Sequence, residues 1–195
     1  MNNVLNKTSY FEREINYIKD QDIKDSLIFM LEKLPDYFYV IPASSTGKYH
    51  PKFAASDNGL VKHTKVAVRI AYELFQDETI CKFSKREQDL IIMALVLHDG
   101  LKSGLIKERY TKVEHPLLIA NYIKENKENL KLTDNDIDLL CRVISSHMGP
   151  WNKDFNGNVV LPVPKTALER FVHMCDYLSS KKFLDVEFDG LNIKY

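Results

Sequence analysis

The sequence predicts an all-α protein, a compact helical bundle with long loops and at most a short terminal strand or hairpin. Three observations carry this expectation. Apolar residues recur at three- and four-residue steps through most of the chain. Ser84 and Thr133 each stand three residues before an acidic residue, Glu87 and Asp136, at the head of such a run. Apart from the C-terminal tail and an Asn156-Gly157 turn, nothing argues for a sheet.

The elements follow in order. Residues 10–20 and 23–34 have helical spacing, and Pro35 stops the second run. Residues 35–59, "PDYFYVIPASSTGKYHPKFAASDNG", carry three prolines and two glycines and are read as loop, longer than an ordinary connection. Residues 60–75 form a strong amphipathic helix. The next helix starts after Ser84 and runs to about Asp99. A further one covers residues 114–126, another runs from Thr133 to about His147, and the last long one covers 165–183. The tail, residues 184–195, is read as a short strand or an extended arm.

Composition excludes several classes. A chain of 195 residues, 45% apolar and 28% charged, is long enough for one domain with a real core. No apolar run approaches the ~20 residues that span a bilayer. The opening "MNNVLNKTSYFEREINYIKD" is polar and mixed in charge, unlike a secretory signal or transit peptide, so a cytoplasmic location is expected. Basic and acidic residues balance at 27 each, which disfavours a nucleic acid duplex as the main partner. Cys81, Cys141 and Cys175 form no CxxC pair and are expected to be reduced, buried thiols. No P-loop and no GxSxG elbow is present.

The histidines carry the chemistry. In "LIIMALVLHDGLKSG", eight apolar residues lead directly into His98 and Asp99. His63, His98, His115, His147 and Asp176 each fall on, or beside, the apolar stripe of a different helix. Buried imidazoles and carboxylates are costly unless they are paired or bind a metal. A divalent metal, or two, would satisfy four imidazoles and two carboxylates meeting in a bundle core.

The order His63, His98-Asp99, His115, His147, Asp176 resembles the HD-domain metal-dependent phosphohydrolase superfamily, in its six-ligand branch. The resemblance covers roughly residues 49–182 and extends to the phrases "GLVKHT", "LHDGLKSG", "EHP", "SSHMGP" and "CDYLSSKK". It implies a bundle of the HD-domain type with long active-site loops. Residues 1–48 would be helices and loop packed on the core, 49–183 the HD domain, and 184–195 a C-terminal arm. It implies that His63, His98, Asp99 and Asp176 bind one divalent metal. Asp99 would bridge to a second, completed by His115 and His147. Mixed nitrogen and oxygen donors suit Fe, Mn, Co, Ni or Zn. Many members read His-Asp, any residue, Gly-Lys. Here the order is "HDGLK", so Lys102 keeps its offset while the glycine moves.

Lys102 is expected to face a substrate phosphate. The stretch "GKYHPKF" resembles a segment that some members place over the site, making Lys48 and His50 substrate contacts and His50 a candidate general acid. Trp151 and Tyr110 are candidates for stacking a base. His173 is expected to partner a neighbouring helix rather than line the pocket. The resemblance implies hydrolysis of a phosphoester or phosphoanhydride, in a nucleotide or another small-molecule substrate, by a metal-activated water. Rival readings are a 3′-5′ exonuclease or phosphodiesterase on short oligonucleotides, a di-iron oxygenase of the same fold, and a nucleotide sensor that does not cut.

Overall fold

The computed structural model describes residues 6–44, 50–184 and 186–194. Among them are seven α-helices: α1 (Glu12–Tyr17), α2 (Gln21–Lys33), α3 (Gly59–Phe75), α4 (Lys85–Leu97), α5 (His115–Glu125), α6 (Asp134–Ser145) and α7 (Ala167–Ser179). Two short strands, β1 (Phe188–Asp189) and β2 (Asn192–Ile193), pair antiparallel near the C-terminus. The all-α expectation holds, and the tail takes the strand option in its smallest form. Around Asn156-Gly157 there is only a single bridge, Lys153 to Val159, whose turn is held by the Asp154 carboxylate accepting from the Asn156 and Asn158 amides.

Helix α4 explains the apolar run. It touches α1, α2, α3, α6 and α7, so it has no solvent face. Every residue from Leu90 to Leu97 is at most 3% exposed. A helix buried all round has to be apolar all round. Its N-terminus meets solvent at a capping box, with Ser84 accepting from the Glu87 amide and Glu87 accepting from the Ser84 amide. Thr133 and Asp136 do the same for α6, and Thr166 and Glu169 for α7.

Several predicted boundaries move. The first predicted helix splits into a 3-10 turn, Thr8–Phe11, followed by α1. Helix α2 starts earlier than expected, because Asp20 caps it by accepting from the Asp22 and Ile23 amides. Helix α4 ends at Leu97, two residues early. The chain then tightens into three-residue turns, Leu97 O accepting from Gly100 N and Asp99 O from Lys102 N. A Cβ on Gly100 would lie 2.8 Å from a Leu34 methyl and 3.0 Å from the Leu97 carbonyl oxygen, so the displaced glycine of "HDGLK" is fixed by packing on α2. Helix α7 stops at Ser179 rather than 183.

The N-terminal helices are tied to the rest by buried charge. Lys65 on α3 donates to Glu14 on α1 at 2.8 Å, with both side chains under 5% exposed, and its ammonium lies over the Phe11 ring. Asp89 on α4 accepts from the amides of Lys19 and Asp20. All three cysteines are free and buried, as expected. No helix among the described residues is long and apolar enough to cross a membrane.

Candidate metal centre

The ends of α4, α5 and α6 meet the second turn of α3 and the last turns of α7 at one point. His63 comes from the body of α3 and Asp176 from the body of α7. His98 and Asp99 follow the last residue of α4, His115 is the first residue of α5, and His147 lies two residues past α6. Thus three of the four imidazoles sit at helix ends, where a tight turn aims them, rather than on helix faces.

The six side chains converge. His63 Nε2 is 2.9 Å from Asp176 Oδ1, and His98 Nε2 is 3.3 Å from the same oxygen. His98 Nε2 is 3.6 Å from Asp99 Oδ2. On the other side of Asp99, Oδ1 is 2.9 Å from His115 Nε2 and 3.8 Å from His147 Nε2. Two overlapping sets, His63-His98-Asp176 and His98-Asp99-His147, have donor atoms all within 4.8 Å of one another. The four imidazoles and Asp99 are at most 2% exposed.

Each imidazole is oriented through its other nitrogen. Nδ1 donates to the Leu95 carbonyl in His98 (2.6 Å), to the Lys112 carbonyl in His115 (2.7 Å) and to the Ile144 carbonyl in His147 (2.8 Å). His63 Nδ1 lies 2.9 Å from the Ser179 hydroxyl, which gives its own proton to the Asp176 carbonyl and therefore accepts from the ring. All four Nε2 atoms are left facing the centre, the arrangement that metal-ligating histidines require.

The electrostatics reflect the crowding of these groups. Burial pushes the Asp99 carboxyl up, but the Lys102 ammonium, His98 and His115 outweigh it and hold it well below the usual carboxylate range. Burial likewise opposes ionisation of Asp176, and the hydrogen bond from His63 and the nearby His98 hold it well below as well. Burial disfavours a charged His98, yet Asp99 and Asp176 raise its pKa. His147 is driven the other way, to about 3, by burial and by His98. The buried His98 Nε2 has no hydrogen-bond partner among the described residues. Such an atom, facing two ionised carboxylates and three further imidazoles, fits a divalent transition metal.

A cavity of about 510 Å³ opens over this cluster, lined by His63, Asp99, His115, His147 and Asp176 on its floor. Lys102 lines it too, and its ammonium donates to Asp99 Oδ2. The turn that carries Lys102 is held by Tyr37, whose hydroxyl donates to the Gly104 carbonyl (2.6 Å) and accepts from the Ser103 amide (3.1 Å). His50 lies edge-on to His63, ring centres 4.9 Å apart, and burial lowers its pKa to about 3, so it is a neutral imidazole. Trp151 is on the cavity wall, whereas Tyr110 is not, lying 60% exposed with the Arg109 guanidinium over its ring. Lys48 lies outside the described residues.

Some contributors are absent from the sequence reading. Ser179, which orients His63, and Tyr37, which holds the Lys102 turn, act through contacts more than 60 residues away. Tyr177 and Lys181 line the cavity beside His173. Here a signal existed: residues 173, 177 and 181 repeat every four residues, the spacing of one helix face. His173 does partner a neighbouring segment, as expected, donating to the His147 carbonyl at 2.6 Å, but it also lines the cavity.

A helical bundle that brings five of its helices to one buried set of imidazoles and carboxylates, under an open cavity, has the make-up of a metal-binding protein. Comparison with known families is specific: residues 60–181 match the HD domain, so the chain belongs to the HD-domain family. A search of curated proteins and a search of solved structures return no match. HD domains bind divalent metals.

Proposed function

We propose that the protein is a metal-dependent phosphohydrolase that cleaves a phosphoester or phosphoanhydride in a small-molecule substrate. The observation that carries this reading is the convergence of four imidazoles and two carboxylates, all but His98 lining the floor of an open cavity with Lys102 at its edge. His63, His98, Asp99 and Asp176 would hold one divalent ion, and Asp99, His115 and His147 a second. Fe, Mn, Co, Ni and Zn all suit this donor set. When bound, the metal supplies an activated water at neutral pH and Lewis-acid polarisation of the phosphoryl group.

The chain's own residues do the rest. The carbonyls of Leu95, Lys112 and Ile144, and the Ser179 hydroxyl, keep the imidazoles in the tautomer that presents Nε2. The Lys102 ammonium, once Asp99 is engaged elsewhere, is free to hold a non-bridging phosphate oxygen as charge moves outward. Tyr37 keeps that lysine's turn in place. His50, neutral and close to His63, is an acceptor or donor for the substrate rather than a positive charge.

The test is release of phosphate from a panel of phosphomonoesters and nucleotides by protein supplied with Mn or Fe, against the Asp99→Ala variant. Turnover in the wild type and none in the variant supports the reading. Equal rates in both overturn it.

A further inference from the structure

We propose that Trp151, backed by Tyr177, His173 and Lys181, is a stacking platform for an unpaired nucleobase, and that it sets the substrate as one carrying such a base. This rests on the phosphohydrolase reading for the reaction but on separate residues for recognition.

The platform is built, not incidental. Trp151 and Tyr177 stack with ring centres 5.5 Å apart and planes 19° apart. The His173 ring stands 6.3 Å from Trp151 and 5.8 Å from Tyr177. The Lys181 ammonium lies 3.4 Å from the Tyr177 ring centre and 5.7 Å from that of Trp151. All four residues line the cavity above the cluster. Tyr177 supports Trp151, yet 53% of the tryptophan stays exposed. A large exposed aromatic held at a cavity wall, with a cation beside it, is the pairing that takes a flat base attached to an anionic phosphate.

The platform is also coupled in space to the cluster. Residues 146–151 form one tight turn, with Gly149 N donating to Ser146 O and Trp151 N to Met148 O. That turn carries His147 at one end and Trp151 at the other. His173 clamps it by donating to the His147 carbonyl. Gly149 makes room: it sits at φ +58°, and a Cβ there would come within 2.3 Å of the His173 ring. A base on Trp151 is thereby held at a fixed offset from the floor where the phosphate must sit, which is how remote binding energy positions a reacting group.

Trp151 is the chain's single tryptophan, so its fluorescence reports the platform alone. The experiment titrates Zn-loaded protein with AMP, UMP and the dinucleotide ApA, and in parallel with ribose 5-phosphate and inorganic phosphate. The platform predicts quenching by at least one base-bearing probe, none by the base-free ones, and affinity about tenfold tighter for the former. Calorimetry on Trp151→Leu should bring that ratio down to about one. Base-bearing probes that bind no tighter than ribose 5-phosphate and leave the fluorescence unchanged overturn the proposal, even if phosphate is released. Quenching with the expected preference, but no hydrolysis of any probe with Zn, Mn or Fe, keeps the platform and overturns the phosphohydrolase reading instead.

Discussion

The Nε2 atoms of His115 and His147 lie 3.3 Å apart, while the Nδ1 of each donates to a backbone carbonyl three residues earlier. Two ring nitrogens held this way both turn lone pairs inward, unless a proton or a cation comes between them. Asp99 Oδ1, 2.9 Å from one and 3.8 Å from the other, adds a third donor to the same spot. The arrangement is costly in an empty core and favourable around a positive ion.

Removing an orienting partner should therefore weaken metal binding without touching a ligand. Ser179→Ala leaves His63 Nδ1 without its acceptor, and the expected loss in metal affinity is roughly 10- to 100-fold. Competition against a chromogenic chelator measures it. Affinity equal to wild type would show that His63 needs no such anchor.

Metal uptake should depend on pH in a definite sense. In the metal-free protein Asp99 and Asp176 raise the His98 pKa above its ordinary value of about 6.5. Protonated His98 then contributes stability that is full below about pH 6.5 and is lost as pH rises through the raised value. A divalent ion competes with that proton. The metal-induced rise in Tm should grow with pH across this window, with protons released to the buffer on binding. Thermal scans with and without Mn at a series of pH values check it, and a rise that shrinks with pH would contradict it.

The Lys65–Glu14 pair should be intolerant of losing one partner. Lys65→Met strands a buried carboxylate and is expected to cost about 3–5 kcal/mol in urea denaturation. Replacing both residues with apolar ones of similar volume should recover most of the loss. A double variant as unstable as the single would mean the pair contributes more than mutual compensation.

Tyr37→Phe should act on the site from below. It leaves the buried Ser103 N–H and Gly104 C=O without the hydroxyl they share, at about 1–3 kcal/mol. It also loosens the turn of Lys102. Stability by denaturation and KM for a phosphate substrate should both worsen, and an unchanged KM would detach Lys102 from phosphate binding.

Much of this was legible in the residues, for physical reasons. Helical periodicity marked α3, α4 and α6, and the caps Ser84 and Thr133 marked where the last two begin, since an amphipathic or fully buried helix writes its packing into its spacing. The six clustered side chains were visible because polar groups in apolar runs need a partner. The rest depends on long-range contact. Gly100, just past α4, is confined by Leu34 at the end of α2, and His98 and His147 are aimed by turns rather than helix faces. Tyr110 and Trp151 were alike as loop aromatics, and only the fold places Trp151 on the cavity wall.

The most direct measurement of the central claim is metal content per chain, by elemental analysis of protein purified without chelator and after dialysis against Fe, Mn or Zn. Wild-type protein should hold roughly one to two transition-metal ions per chain, and Asp99→Ala, folded by circular dichroism, should hold fewer. Folded wild-type protein that takes up none of these metals would contradict the account.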